Sequence, residues 1–248
     1  MTPRTLVWFS AGAASAVAAM LALRVDPDAV IAYTDPGSEH PDNQRFIADC
    51  ERWFGRDVIR LKSARYADTW QVWHERRYLN GPSGALCTTE LKKRQRFDFQ
   101  RPDDRQVFGY TIEEIARANR FRQNNPEIDL WCPLIDDGLR KSDCLAIIER
   151  AGIVLPMMYQ MGYANNNCIG CVKGGMGYWN KIRRDFPEVF ARMAAMEREI
   201  GRSCINGQFL DELDPSRGRY SDEPDMECSL LCANTAETLP VIDREVSR

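Results

Sequence analysis

Apolar positions along this chain come in short unbroken runs, separated by longer stretches in which they recur every three or four residues. Thr5 to Phe9 is one such run, the length of a strand buried on both faces; Ser10 to Ala13 then reads as a tight turn and Ala14 to Arg24 as a helix. Ala29 to Tyr33 repeats the pattern between Asp26-Pro27-Asp28 and Thr34-Asp35-Pro36-Gly37. Pro41 to Gly55 sets Phe46, Ile47, Cys50, Trp53 and Phe54 near one helical face, with Gly55 as its stop. Val58 to Leu61 reads as a third strand, Tyr66 to Tyr78 as a helix carrying Trp70, Trp73 and Arg77, and a further helix opens at Cys87. Gln106 to Tyr110 and Leu130 to Ile135 are strands, Thr111 and Glu114 form a capping box that starts a helix to Asn124, and Ser142 to Ala151 is a helix stopped by Gly152. Strands alternating with helices predict an α/β fold, a parallel sheet with helices on both faces.

The pattern changes at Gly162. From there to Tyr178 the chain reads GYANNNCIGCVKGGMGY, after which Pro187 to Gly201 is a helix with proline at its start and glycine at its end. The tail from Asn206 has few apolar runs apart from Cys228 to Cys232 and is expected to drape over the rest. The organisation predicted is an α/β domain over 1–163 and a cysteine-rich C-terminal region over 164–248 packed on it.

Composition decides what Leu6 to Leu23, an uncharged stretch behind Arg4, can be. It suits an export signal or a marginal membrane span as well as a strand, turn and helix. Nine cysteines, several at metal-ligand spacing, fit a reducing compartment better than a secreted disulfide framework. The strand–turn–helix reading is therefore preferred, and with it a cytoplasmic protein without a membrane anchor. A net charge of -3 argues against a broad electrostatic hold on nucleic acid.

Candidate chemistry then falls in three places. Ser10, Gly12 and Ser15 offer hydroxyls and an unobstructed backbone at the start of a helix, as a phosphate or sulfate needs, and Asp35 and Gly37 end the second strand where open parallel sheets place ligands. Lys92 and Lys93 belong to the densest basic run and are candidates to neutralise the anion; Arg94 and Arg96 read as a solvated helix face. Lys181, Arg183 and Arg184, beside Trp179, suit either such a face or an acidic or nucleic-acid partner. Cys168-x-x-Cys171 brings two thiolates to one metal, and Cys228 and Cys232 offer two more, a donor set for zinc or an iron–sulfur cluster. Cys50, Cys132 and Cys204 read as structural thiols.

Ser10-Ala11-Gly12-Ala13-Ala14-Ser15 resembles the PP-loop of the adenine-nucleotide alpha-hydrolase superfamily, Ser-Gly-Gly-x-Asp-Ser. Tyr33-Thr-Asp35-Pro-Gly37, followed by Pro41-Asp42-Asn43, resembles the Asp-Thr-Gly…Pro-Glu-Thr segment of the sulfonucleotide reductases. Cys87-Thr-Thr-Glu-Leu-Lys92-Lys93, Cys168-Ile-Gly-Cys171 and Glu227-Cys228-Ser-Leu-Leu come next, in the order of that family's landmarks. The resemblance implies an adenine nucleotide alpha-hydrolase-like fold and reduction of adenylyl sulfate or 3′-phosphoadenylyl sulfate to sulfite. In that reading Cys228 is the nucleophile and a thioredoxin-like dithiol the reductant. Cys87, Cys168 and Cys171 would hold a [4Fe–4S] cluster, with Cys144 or Cys232 as the fourth ligand. The chain departs from the pattern at Ala14, Ser229 and Leu231, where the family has Asp, Gly and His, and it has one cysteine in place of an adjacent pair. The alternatives are an ATP-dependent sulfur-insertion enzyme acting on tRNA or DNA bases, the one reading with a nucleic-acid partner, and a non-catalytic nucleotide-binding protein.

Overall fold

The computed structural model describes residues 3–81 and 84–223. Strand β1 (Thr5–Phe9) lies at the centre of a five-stranded parallel sheet of order β3-β2-β1-β6-β7. Its partners are β2 (Val30–Asp35) on one side and β6 (Arg105–Val107) on the other, with β3 (Ile59–Lys62) and β7 (Asp129–Trp131) at the edges. All five residues of β1 are buried, as an unbroken apolar run in a doubly covered sheet requires. Val7 and Phe9 enter one core with Ile31, Tyr33 and Val107, while Leu6 and Trp8 enter the opposite one with Ala32 and Phe108.

Helix α1 (Ala13–Val25) presses Ala13, Ala16, Val17, Ala18, Ala19 and Ala22 into the first of these cores. Such small side chains let a helix approach a sheet closely, so the stretch that resembled a membrane segment is a buried helix of a globular layer. No helix among the described residues is long and apolar enough to cross a membrane. Helix α2 (Asn43–Phe54) covers the same face and ends on Gly55 in the left-handed conformation, as expected. Helix α3 (Thr69–Arg76) leads into a small hairpin, β4 (Asn80–Gly81) with β5 (Gly84–Ala85). Helices α4 (Leu86–Thr88) and α5 (Arg94–Phe99) flank a π-helical turn at Thr89–Lys93. Helix α6 (Ile115–Asn124) covers the second face through Ala118 and Phe121, and the Thr111–Glu114 capping box is present before it.

Two expectations change. The segment Leu130 to Ile135 is not one strand: pairing ends at Trp131 and Pro133 opens a short helix, α7 (Pro133–Asp136). Proline suits a first helical position, where its missing N–H costs nothing. The strand expected over Gln106 to Tyr110 pairs only as far as Val107, which leaves Phe108 to Tyr110 as a connection across the sheet's C-terminal end. Helix α8 (Lys141–Arg150) packs against α1, and a short helix, α9 (Met157–Gln160), comes after it.

A further core has no sheet. Helices α10 (Met176–Asp185) and α11 (Pro187–Ile200) bury Tyr178, Trp179, Ile182, Met193 and Met196 against Trp70, Trp73, Leu79, Met158 and Tyr163. Residues on both sides of position 163 share this core, so the two regions read from composition interlock. Helix α10 starts inside the Gly-rich stretch, and Glu223 caps its N-terminus by accepting from the backbone N–H groups of Gly175 (3.1 Å), Gly177 (2.5 Å) and Tyr178 (3.2 Å). The tail as far as Glu223 thus drapes over α10.

Candidate functional site

In a sheet of this order the strand connections diverge between β1 and β6, which opens a crevice at their C-terminal ends. A cavity of about 270 Å³ lies there. Its floor is the loop between β1 and α1. Ser15 Oγ donates to the Gly12 carbonyl (2.9 Å) and accepts from the Ser10 backbone N–H (3.0 Å), so in the 3.0 Å Ser10–Ser15 hydroxyl pair the Ser10 hydroxyl is the donor. Ala11 takes the left-handed conformation, φ 54°, which costs about 1–3 kcal/mol in a non-glycine residue. Gly109 passes over the loop so closely that a Cβ there would stand 2.8 Å from Ser15 Cα and N. Gly12, Ala14 and Ser15 line the cavity at the start of α1, whose first turn has no acidic side chain, so the helix presents its positive end to an anion.

The walls combine Trp8, Phe108 and Tyr110 with Lys92, Arg117 and Lys141. Arg117 sits over the Tyr110 ring at 4.9 Å and pairs with Glu114 at 2.6 Å; Lys141 donates to Asn165 Oδ1 at 2.8 Å. Lys92 is buried and meets Glu39 Oε1 at 3.3 Å. The other Glu39 oxygen accepts from Tyr33 Oη (2.7 Å) and Asn43 Nδ2 (2.8 Å). Burial, and after it the Glu39 carboxylate, push the Tyr33 phenol far above its usual range. Asn166 completes the relay: its Nδ2 donates to Asn43 Oδ1 (2.8 Å) and to the Ala11 carbonyl (2.7 Å). A carbonyl can only accept, which fixes the amide orientation and leaves the buried Oδ1 with no protein partner.

The cysteine loop adjoins this relay. Ile169 N–H donates to the Ser38 carbonyl (3.0 Å), and Cys168 is near enough to Tyr33 to add to the rise of its pKa. The Tyr178 hydroxyl gathers the turn, accepting from Gly170 N (3.0 Å) and Cys171 N (2.9 Å). Cys171 and Cys204 are buried in the same sheetless core, and Cys87 packs against it. Asn80 Nδ2 donates to the Val172 carbonyl and, at 3.3 Å, to the Cys204 carbonyl, which ties the two cysteine segments together. Burial pushes the Cys204 thiol well above its ordinary value, with the Glu197 carboxylate and then Cys171 and Cys87 as lesser causes. The described cysteines form no disulfide.

Of the residues singled out in the sequence, Ser10, Gly12, Ser15 and Lys92 meet at the cavity, and Lys93 does not line it. Asp35 and Gly37 build the neighbouring turn: Asp35 accepts from Gly37 N (2.8 Å) and pairs with Lys62 (2.9 Å). Cys144 does not join the other cysteines; it is buried among the residues beneath α1, where burial pushes its thiol up to about 12. Cys228 and Cys232 lie outside the described residues. Arg96 is not on a solvated face but fully buried, donating to Gln100 (2.9 Å) and Gln106 (3.3 Å), with burial lowering its pKa to about 9. Lys181 is held by the Met161 carbonyl and Asp185, and Arg183 by the Leu210 and Leu213 carbonyls, so both have internal structural contacts. Gly109, Arg117, Lys141, Asn166 and Cys204 were not recognised as site residues from sequence. For Lys141 and Asn166 the available signal was their position after the last strand, at the mouth of the sheet.

Among the described residues no three His, Cys, Asp or Glu side chains converge as they would around one metal ion. The sulfur donors that do share a core, Cys87, Cys171 and Cys204, are soft ligands suited to zinc or iron–sulfur chemistry. The indole N–H groups of Trp73 and Trp179 in that core are buried without an acceptor, the kind of donor that cluster sulfurs take up. These sulfur donors suit either zinc or an iron–sulfur cluster. No protein-family model and no curated protein matches the chain.

Proposed function

We propose that the crevice binds an adenine nucleotide and that the protein is a reductase of adenylyl sulfate or its 3′-phosphorylated form, with an adenine nucleotide alpha-hydrolase-like fold. One observation carries the reading: the Ser10–Ser15 loop, stitched by its own hydroxyls at the head of α1, opens into a cavity that combines Lys92, Arg117 and Lys141 with Trp8, Phe108 and Tyr110. The cations and the helix start suit phosphate and sulfate oxygens, and the aromatic rings suit a base. Charge-assisted hydrogen bonds of about 1.5–3 kcal/mol each give micromolar binding with a few contacts. The order of motifs shared with the sulfonucleotide reductases supports the choice of substrate.

In this reading the Cys228 thiolate attacks the sulfur of the sulfonucleotide. An S–S bond forms, the bond from sulfur to the bridging phosphate oxygen breaks, and AMP or its 3′-phosphate leaves with the electron pair. A thioredoxin-like dithiol then attacks Cys228 Sγ and displaces sulfite; its second thiol closes to a disulfide and regenerates the Cys228 thiol. Within the crevice Lys92 and Lys141 hold the anion, and Asn166 braces the loop at the Ala11 carbonyl. A cluster held by Cys87, Cys168 and Cys171 would order the cysteine loop that leans on Ser38.

Calorimetric titration with ATP, AMP, adenylyl sulfate and 3′-phosphoadenylyl sulfate, with sulfite assayed in parallel, tests this. Micromolar binding of a sulfonucleotide and sulfite release dependent on Cys228 are expected. Gly109→Ala, whose Cβ would push on the Ser15 backbone, is expected to weaken binding about tenfold, or 1.4 kcal/mol, and to lower the thermal midpoint as well. Turnover of ATP with no sulfite from either sulfonucleotide would overturn the reductase reading in favour of sulfur insertion.

A further inference from the structure

The cysteine that sequence spacing leaves out is the one the fold brings in. Cys204 comes after α11 and has no second cysteine near it in the chain, yet it is buried in the same core as Cys171, with Cys87 packed against that core, from segments 33 and 117 residues earlier as counted along the sequence. Several contacts hold it there. Glu197, fully buried on α11, accepts from the backbone N–H groups of Cys204 (2.5 Å) and Leu210 (2.6 Å), which fixes the chain reversal that carries Cys204 inward. Asn80 joins the Val172 and Cys204 carbonyls through one amide nitrogen. Cys168 belongs to the same turn as Cys171, closed by Tyr178. By contrast, Cys144 is enclosed by the core under α1 and α8.

We propose that Cys87, Cys168, Cys171 and Cys204 form one four-thiolate site for an iron–sulfur cluster, with Cys204 as the fourth ligand in place of Cys144 or Cys232. The proposal rests, for the nature of the occupant, on the reading of these thiols as cluster ligands, and it adds which cysteines they are. The four proposed donors are all sulfur; the Glu197 carboxylate beside Cys204 is engaged by the backbone N–H groups of Cys204 and Leu210 and by the Cys204 thiol. An all-sulfur set selects zinc or iron–sulfur. Cys171 and Cys204 share one buried core with Cys87 packed against it, and Cys168 lies three residues before Cys171 in the turn that Tyr178 closes. The acceptor-less indole N–H groups of Trp73 and Trp179 are available to hydrogen-bond its sulfurs. Cys228 is then outside the ligand set and keeps its thiol for chemistry.

The test is iron and acid-labile sulfide content, with absorbance and the resonance spectrum of the reduced protein, on full-length chain purified without oxygen. Cys204→Ser is expected to lose at least three-quarters of the parent's iron and sulfide, since even loss of a group that only supports a ligand costs about 10–100-fold in metal affinity. Cys144→Ser and Cys232→Ser are expected to retain both. Full iron in Cys204→Ser, or loss in either of the other two, overturns the assignment, as does a parent protein that takes up zinc and no iron after incubation with both. Should Cys204→Ser not fold, alkylation mapping of the parent decides: Cys204 must become labelled together with Cys87, Cys168 and Cys171 when iron is chelated, and labelling of Cys144 in its place overturns the proposal. Sulfonucleotide binding measured on the same samples separates the two readings. Retained iron with no nucleotide bound overturns the proposed function and leaves the ligand set standing; bound nucleotide with no iron does the reverse.

Discussion

The core beneath β1 and the core around Trp179 solve the same problem by different means. The first is built from a sheet and alanines: α1 lies close because its inner face carries almost no side chain, and the loop before it is closed by its own hydroxyls. The second has no sheet, and is filled by Trp70, Trp73, Tyr163, Tyr178 and Trp179 with the sulfurs of methionine and cysteine. Its cysteine loop is closed from outside, by the hydroxyl of Tyr178 and the carbonyl of Ser38. The first loop is braced mainly from within, with Asn166 added at the Ala11 carbonyl, whereas the second takes its shape from its neighbours. Rigid backbone suits anion binding, and a loop set by its surroundings suits ligands whose spacing is fixed by what they bind.

The sharpest way to break this contrast is at the turn that reaches both sites, through Ser38 to Ile169 and through Glu39 to Lys92. Gly37 has φ +69°, and a Cβ there would lie 2.0 Å from the Ala67 carbonyl oxygen. Gly37→Ala is expected to destabilise the protein by on the order of 3 kcal/mol, read as a lower urea midpoint, and to weaken both sites together. A parent-like midpoint would show the turn to be dispensable. Tyr178→Phe separates the sites instead. It removes the acceptor of two buried N–H groups, at a cost of about 1–3 kcal/mol, and is expected to lower iron content while nucleotide affinity stays at the parent value.

The smallest effect concerns the strap that holds the segment after α8 against α2. Arg45 pairs with Asp42 at 2.7 Å and donates to the Val154 and Leu155 carbonyls, and Asp42 also accepts from Met157 N. The guanidinium holds the Asp42 carboxyl below its ordinary range. Its contribution is therefore complete above the usual carboxylate pKa of about 4 and is lost as pH falls through the lowered folded value. Asp42→Asn is expected to cost on the order of 1 kcal/mol at neutral pH and to flatten the acid limb of a stability–pH curve; an unchanged limb would place the acid sensitivity elsewhere.

The same contrast explains what sequence reading reached. The sheet was legible because its strands are buried on both faces and show as unbroken apolar runs, and Ser10, Gly12, Ser15 and Lys92 come into view once β1 is recognised. The second core was not, because Trp70, Met158 and Trp179 are brought together by long connections rather than by a repeat. Arg96 was misread because the π turn at Thr89–Lys93 adds a residue to the helix and rotates the turn after it, carrying a charged side chain inward. Cys204 was read as structural for a related reason. Its partners are set by the chain reversal around Glu197, which no local spacing encodes.

Asn166 also bears on how this protein is made. It reaches the Ala11 carbonyl across 155 residues of chain, so a loop synthesised that much earlier is finished only when Asn166 arrives. During synthesis β1, α1 and β2 can pair early through local contacts, but the anion loop waits for the Asn165–Asn167 segment to arrive. A nascent or truncated chain that stops short of Asn166 carries the fold's most recognisable motif without the contact that completes it.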